Sequence, residues 1–144
     1  MIRISVEGLS AVEQALSSLG EDMIPNAAKG MQNGLKRVVR EAKQVCPVDT
    51  GELLNSIRAE VNEYATFVTG TVGTNKEYAV YVEMGTGDRG RESGGNGSPV
   101  KASYRTKWGG MRARPYLWPA WKANREKVLA SIRRAVLKGV RGGG

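Results

Sequence analysis

The sequence predicts an α+β domain in which a small antiparallel sheet packs against a long central helix and a C-terminal helix, with a long flexible basic loop projecting from one side. Three observations predict it. Apolar residues recur at helical spacing from Ala28 to Val45 and again from Trp121 to Val136. Two short runs between residues 57 and 72 carry strand patterns, and the thirty residues from Gly85 to Arg114 hold eight glycines and no sustained apolar period. Residues 1–144 are read as one domain, long enough to bury a core without staples.

Composition narrows the classes. Apolar content is 40%, but the aromatic residues number only nine, so the core is expected to be small and mostly aliphatic. A single cysteine excludes an internal disulfide framework, and the lack of histidine excludes a Cys/His zinc site. The net charge of +8 is unevenly placed: Gly85 to Arg114 carries +5, Trp121 to Gly144 carries +6, and the remainder is acidic. One loop and one helix therefore offer the surface for an anionic partner. No apolar run approaches the roughly 20 residues that span a bilayer, and the opening Met-Ile-Arg-Ile-Ser-Val-Glu does not read as a signal peptide. The expectation is a soluble protein made in a cytoplasm, without membrane partners.

In chain order, Ile2, Ile4 and Val6 alternate with polar residues as a strand with one buried face. Ser10 with Glu13 forms a capping box ahead of a short amphipathic helix striped by Leu9, Val12, Leu16 and Leu19 and ending at Gly20. Pro25 suits the first turn of the longest helix, whose stripe is Ala28, Met31, Leu35, Val38, Ala42 and Val45. Gly30 and Gly34 cost that helix roughly 1 kcal/mol each relative to alanine, so tertiary packing or close approach to another backbone is expected to compensate. Lys29, Gln32, Lys36, Arg37, Arg40 and Lys43 cover its other side, either as a solvated face or as a subunit- or DNA-facing one. Pro47 disfavours helix at Cys46, which reads as a buried small hydrophobe, and Asp49 or Thr50, with Glu52, caps a new helical turn over Glu52 to Ser56.

Ile57, Ala59 and Val61 then alternate with polar residues, and Phe67 to Val72 is rich in β-branched residues, so a hairpin is expected with Gly73 to Asn75 closing its second strand. Tyr78 to Met84 suits either a third strand or a helical turn. The loop from Gly85 to Arg114 is long for a compact domain, and its composition predicts mobility; Tyr104 and Trp108 among its cations suit a segment that orders on binding. Arg114-Pro115-Tyr116-Leu117-Trp118-Pro119 returns the chain to the core, Pro119 opens the last helix, Trp121, Val128, Ile132 and Ala135 or Val136 make its apolar stripe, Gly139 ends it, and residues 140–144 are expected to fray.

Chemistry-bearing constellations are sparse. No catalytic residue, cofactor site or metal site is expected: Asp49 with Glu52 is the closest acidic pair and capping accounts for it, while Asp88 and Glu92 sit in a flexible basic loop. Gly-Thr-Gly-Asp-Arg-Gly at 85–90 has the glycine spacing of a dinucleotide loop without its strand-loop-helix context. A pI near 9.9 with Tyr104 and Trp108 among cations keeps non-sequence-specific nucleic-acid binding open as an alternative, whereas no specific readout motif is present.

Read together, Cys-Pro-Val-Asp-Thr-Gly-Glu-Leu-Leu-Asn-Ser-Ile at 46–57, Glu-Tyr-Ala-Val-Tyr-Val-Glu-Met-Gly-Thr-Gly at 77–87 and Arg-Pro-Tyr-Leu-Trp-Pro-Ala-Trp at 114–121 resemble the gene-ten-like tail-component (tail completion) family of long-tailed bacteriophages, over roughly Ala27 to Val136. The loop is longer and richer in glycine than that pattern. The resemblance implies a structural virion protein at the neck, assembled in the host cytoplasm, that joins head to tail as a ring of six or twelve copies. Its implied partners are itself, the adjacent head-completion or connector proteins, and tail-terminator or tail-tube proteins, with possible non-specific contact to genomic DNA in the channel. The motif-matched Asp49, Thr50, Gly51, Tyr78, Tyr81, Glu83, Gly85, Arg114 and Pro115 are candidates for interface or fold-defining roles, as are Tyr104 and Trp108 of the loop. A small interaction protein, such as a phage-encoded inhibitor, is a third reading.

Overall fold

The structure, a computed structural model, describes residues 2–5, 23–48, 51–65, 67–98 and 102–142. The expected short helix between Leu9 and Gly20 lies outside them, as do Asp49 and Thr50. The elements run β1 (Ile2–Ser5), α1 (Ile24–Val45), α2 (Glu52–Ser56), β2 (Arg58–Glu63), β3 (Val68–Thr74), α3 (Ala79–Met84), α4 (Gly87–Glu92) and α5 (Leu117–Gly142). This is the expected α+β arrangement of an antiparallel sheet against a long helix and a C-terminal helix.

The sheet is three-stranded in the order β1-β3-β2, with both pairings antiparallel. β3 is its centre. Val61 pairs with Gly70 and Arg58 with Gly73, which also pairs with Arg3 on the other side. That double pairing carries β3 two residues past the expected end at Val72. A glycine at its middle has a packing reason: a Cβ on Gly70 would fall within 2.8 Å of Leu35 Cδ1 and closer still to the Met31 sulfur, so α1 rests directly on this strand.

Helix α1 has proline in its first turn and ends where Cys46 turns extended at ψ 129° ahead of Pro47. Ala28, Met31, Leu35, Val38 and Ala42 are buried as the stripe predicts, but Val45 is 55% exposed, because Cys46 turns inward beyond the helix end instead. Against the other flank of α1 lies α5. Added Cβ atoms on Gly30 and Gly34 would come within 2.8 Å of Ser131 O and 2.9 Å of Val128 Cα, so the two helices touch backbone to backbone, and Ser131 Oγ donates to Gly30 O at 2.9 Å. Asn124, buried in the α5 stripe, donates through Nδ2 to Glu41 Oε2 of α1 and to Ala120 O. Val136, rather than Ala135, completes that stripe on the core side.

Three expectations need correction. α5 begins at Leu117 rather than Pro119 and runs past Gly139 to Gly142; at Gly139 the absent side chain makes room for Asn26 and Met23 at the start of α1. Phe67 lies before β3, half exposed, not within it. The span from Gly85 to Arg114 is not structureless: α4 forms within it, and Thr86 pairs with Met111 in an isolated antiparallel bridge that closes its neck. Glycine there serves close packing. Gly85 has φ 77° with ψ 177°, a backbone shape that L side chains rarely adopt, and a Cβ on it would lie 2.6 Å from Ala113 N and 2.7 Å from Gly90 Cα.

Candidate assembly surface

Tyr78 to Met84 is helical, and its residues face three ways. Ala79 and Met84 enter the core, Glu83 points to the start of α5, and Tyr78 and Tyr81 stand outward. Glu83 is fully buried and saturated: Oε2 accepts from the Tyr116 and Leu117 amides at 2.8 and 3.0 Å, and Oε1 accepts from the Trp118 amide at 2.9 Å and Asn96 Nδ2 at 3.1 Å. A helix start exposes unpartnered N–H groups and the positive end of its dipole; a carboxylate from another element satisfies both needs here. Pro119, one position on, has no N–H to satisfy. The carboxylate thereby ties α3, the glycine-rich segment and α5 together.

Burial pushes the Tyr116 hydroxyl pKa well above its ordinary value of 10, with Glu83 the next cause, followed by Cys46 and Tyr78. Folding therefore holds Tyr116 protonated, and this stability is present below pH 10 and is lost as the pH climbs beyond it, where the unfolded tyrosine ionises. In a denaturant titration, Tyr116→Phe should flatten the loss of stability between pH 10 and 11 relative to wild type. The Cys46 thiol is likewise pushed up, by burial first, then Glu83, with Arg114 opposing.

Outside this pin lies a continuous apolar surface. A cleft of about 310 Å³ is lined by Val48, Gly51, Leu53, Tyr78, Tyr81 and Arg114 among others. Tyr81 and Met111 are shared with a broader, more open hollow of about 730 Å³ that adds Thr86, Arg89, Trp108 and Gly110. Tyr81 is 55% exposed, Trp108 50% and Val48 66%. Side chains of this size left in water together mark an interaction site rather than a scattering of surface apolar residues. Arginine supplies the only charge among the described lining residues, as Arg89 and Arg114.

Of the residues singled out in the sequence, Gly51, Tyr78, Tyr81, Trp108 and Arg114 gather at this surface. Glu83, Gly85, Tyr104 and Pro115 lie on its supporting side: Tyr104 donates to Met84 O at 2.7 Å, and Pro115 leads into the residues that Glu83 holds. The Arg114 amide donates to Val82 O at 2.8 Å, which fixes the rim to α3. Sequence reasoning missed Val48, Met111, Arg89 and Asn96. The one available signal for the pin was that Arg-Pro-Tyr-Leu-Trp-Pro contains no Ser, Thr, Asp or Asn to cap the helix it opens.

A second feature is electrostatic. Lys29, Lys36, Arg37 and Arg40 of α1 and Lys122, Arg125, Lys127, Arg133, Arg134 and Lys138 of α5 are all exposed. Among the described residues, the one ion pair in this set is Arg125 with Glu126 at 4.0 Å, itself in solvent. No group of three or more His, Cys, Asp or Glu among the described residues is placed to hold a metal ion, and no described helix is long and apolar enough to cross a membrane.

The scan against family models matches residues 10–85 to the HK97-gp10-like family, described as "Bacteriophage HK97-gp10, putative tail-component". No curated protein and no solved structure matches the chain.

Proposed function

As the chain belongs to the HK97-gp10-like family of bacteriophage tail components, and is thus a structural protein of the phage virion, we propose that it forms a homo-oligomeric ring of six or twelve copies at the neck that joins head to tail. The observation that supports the ring is the exposed aromatic cleft with its arginine rim, held rigid from behind by Glu83. One repeated contact closes into a ring when the rotation between subunits closes. The basic face of α1 and α5 then meets the DNA in the channel or an acidic neighbouring protein, and the rings above and below are the head-completion or connector and the tail-terminator or tail-tube proteins.

The test is negative-stain imaging of the purified protein, alone and with tail tubes, where rings are expected. Deleting residues 88–109, which leaves Gly87-Gly110 as a two-residue turn, is a sharper probe. Thr86 and Met111 already exchange hydrogen bonds at 2.7 and 3.0 Å, so the ends to be joined are neighbours. The shortened chain should fold, yet lacking Trp108 and α4 it should join heads to tails at least about tenfold less often in a complementation assay; normal joining would remove this segment from the assembly surface.

A free DNA-binding protein is the alternative reading, favoured by the same exposed helical cations. It calls for retention of a labelled duplex near 150 mM salt, with log affinity falling steeply in log salt, and no rings. The neck reading expects duplex binding that is weak and independent of sequence, and rings that form without DNA.

A further inference from the structure

We propose that the subunit contact is made by the tip of the β2–β3 hairpin of one copy inserting into the aromatic cleft of the next. This deepens the ring reading and rests on it. At the tip, the Tyr64 amide donates to Phe67 O at 2.8 Å, and the two rings stack at a centroid distance of 4.5 Å and an interplanar angle of 17°. Both are exposed, Tyr64 by 49%. An aromatic pair stacked on itself in solvent at a hairpin end is a preformed anchor with little rotamer freedom left to lose on binding.

Charge supports a second copy as the occupant. Residues 61–67 carry Glu63 and no cation, Glu60 beside them being paired with Arg58 at 3.3 Å, while the described lining of the cleft carries Arg89 and Arg114 and no carboxylate. Of the described carboxylates next to lining residues in the chain, Glu83 is engaged by its four hydrogen bonds, Asp88 by Arg91 at 2.9 Å and Glu52 by Lys76 at 4.0 Å. Acidic tip and basic cleft attract across copies and repel like with like.

Position supplies the third argument. The cleft sits at the base of the sheet, since Leu53 of α2 and Gly51 just before that helix line it, and Ser56 of α2 hydrogen-bonds Thr74 at the end of β3. The tip lies at the other end of a six-residue strand, roughly 20 Å away. A symmetric pair would satisfy both contacts only if two copies lay antiparallel with each tip in the other's cleft; a contact made to one neighbour at each end instead propagates head to tail, and closes into a ring when the rotation between copies closes.

Two full-length variants test this: Tyr64→Asp at the tip and Tyr81→Asp in the cleft, each checked for retained fold by circular dichroism and assayed by analytical ultracentrifugation. Alone, each should self-associate about 30-fold or more weakly than wild type. Mixed in equal amounts they should form a one-to-one dimer and stop, because one intact tip meets one intact cleft and the two remaining surfaces are spoiled. As a fold-neutral companion, Glu63→Arg and Arg114→Glu should each weaken association, and the double variant should regain it. Wild-type rings that either aspartate variant still forms overturn the contact and leave the ring standing. Variants that fail alone and stay monomeric when mixed overturn it in favour of a symmetric pairing. Cleft variants that build rings but no longer join tails hand the cleft to another virion protein, and a wild type that is monomeric at every concentration overturns the contact and the ring together.

Discussion

Replacing Glu83 with alanine should cost about 4 kcal/mol or more, enough to lower the midpoint of thermal unfolding by roughly 15 °C. Three backbone amides at the start of α5 and the Asn96 side chain lose their acceptor at once. The site is closed to solvent, so those donors stay unpaired, and the truncated side chain leaves a cavity behind it. Glu83→Gln separates charge from volume. The amide keeps one oxygen but turns an NH₂ toward two N–H donors, and it no longer complements the helix dipole, so a loss of about 2–3 kcal/mol is expected. Because α3 carries both the carboxylate and the exposed Tyr78 and Tyr81, the glutamine variant should also lose self-association below its melting temperature, as its cleft wall comes loose. A melting temperature within a few degrees of wild type for Glu83→Ala would show that α5 is anchored by other means.

That pin also marks the boundary of what the sequence disclosed. Local rules carried far: the Pro47 stop, the strand alternation and the α1 stripe each depend on residues a few positions apart, and α1, β2 and β3 lie within a residue or two of where those rules put them. Contacts between distant residues were opaque. Nothing near position 83 announces a helix start more than thirty residues later, and Asn124 in an apolar stripe reads as a blemish until Glu41 is placed across from it. Glycine was the most misleading residue. Its missing Cβ serves mobility and tight packing alike, so the glycines of the loop predicted disorder where Gly85, Gly87, Gly90 and Gly110 pack main chain against main chain. The same ambiguity covers residues 85–90, whose dinucleotide-like spacing is that of a packed joint. Of the candidate surface, the aromatic members were visible as oddly exposed types in a motif, but their neighbours Val48 and Met111 are ordinary until the fold brings them together.

The glycines of α1 give the second large effect, and here the sequence did pose the question. Gly30→Leu should unfold the protein at 37 °C, a loss of about 4 kcal/mol or more, whereas Gly30→Ala should cost about 1–2 kcal/mol. The alanine figure is a balance. Its better helix propensity returns about 1 kcal/mol, against which its methyl must enter a space already held by Ala135 Cβ, Ile132 Cα and Ser131 O, all at 2.8 Å. Two of those three are main-chain atoms, which cannot rotate aside, so α5 itself must retreat and give up the hydrogen bond from Ser131 to Gly30 O. Gly34 meets the same obstacle more mildly, with Val128 Cα at 2.9 Å and side-chain atoms at 3.1 Å or beyond. Denaturant unfolding should therefore rank Gly30→Ala as more damaging than Gly34→Ala. Adding Ala135→Gly to Gly30→Ala should recover only part of the loss, because it clears one of three contacts and puts a glycine into α5. Full recovery would mean that side chains, not the two backbones, set the distance between the helices; no loss at all would mean that α1 and α5 are further apart than their glycines imply.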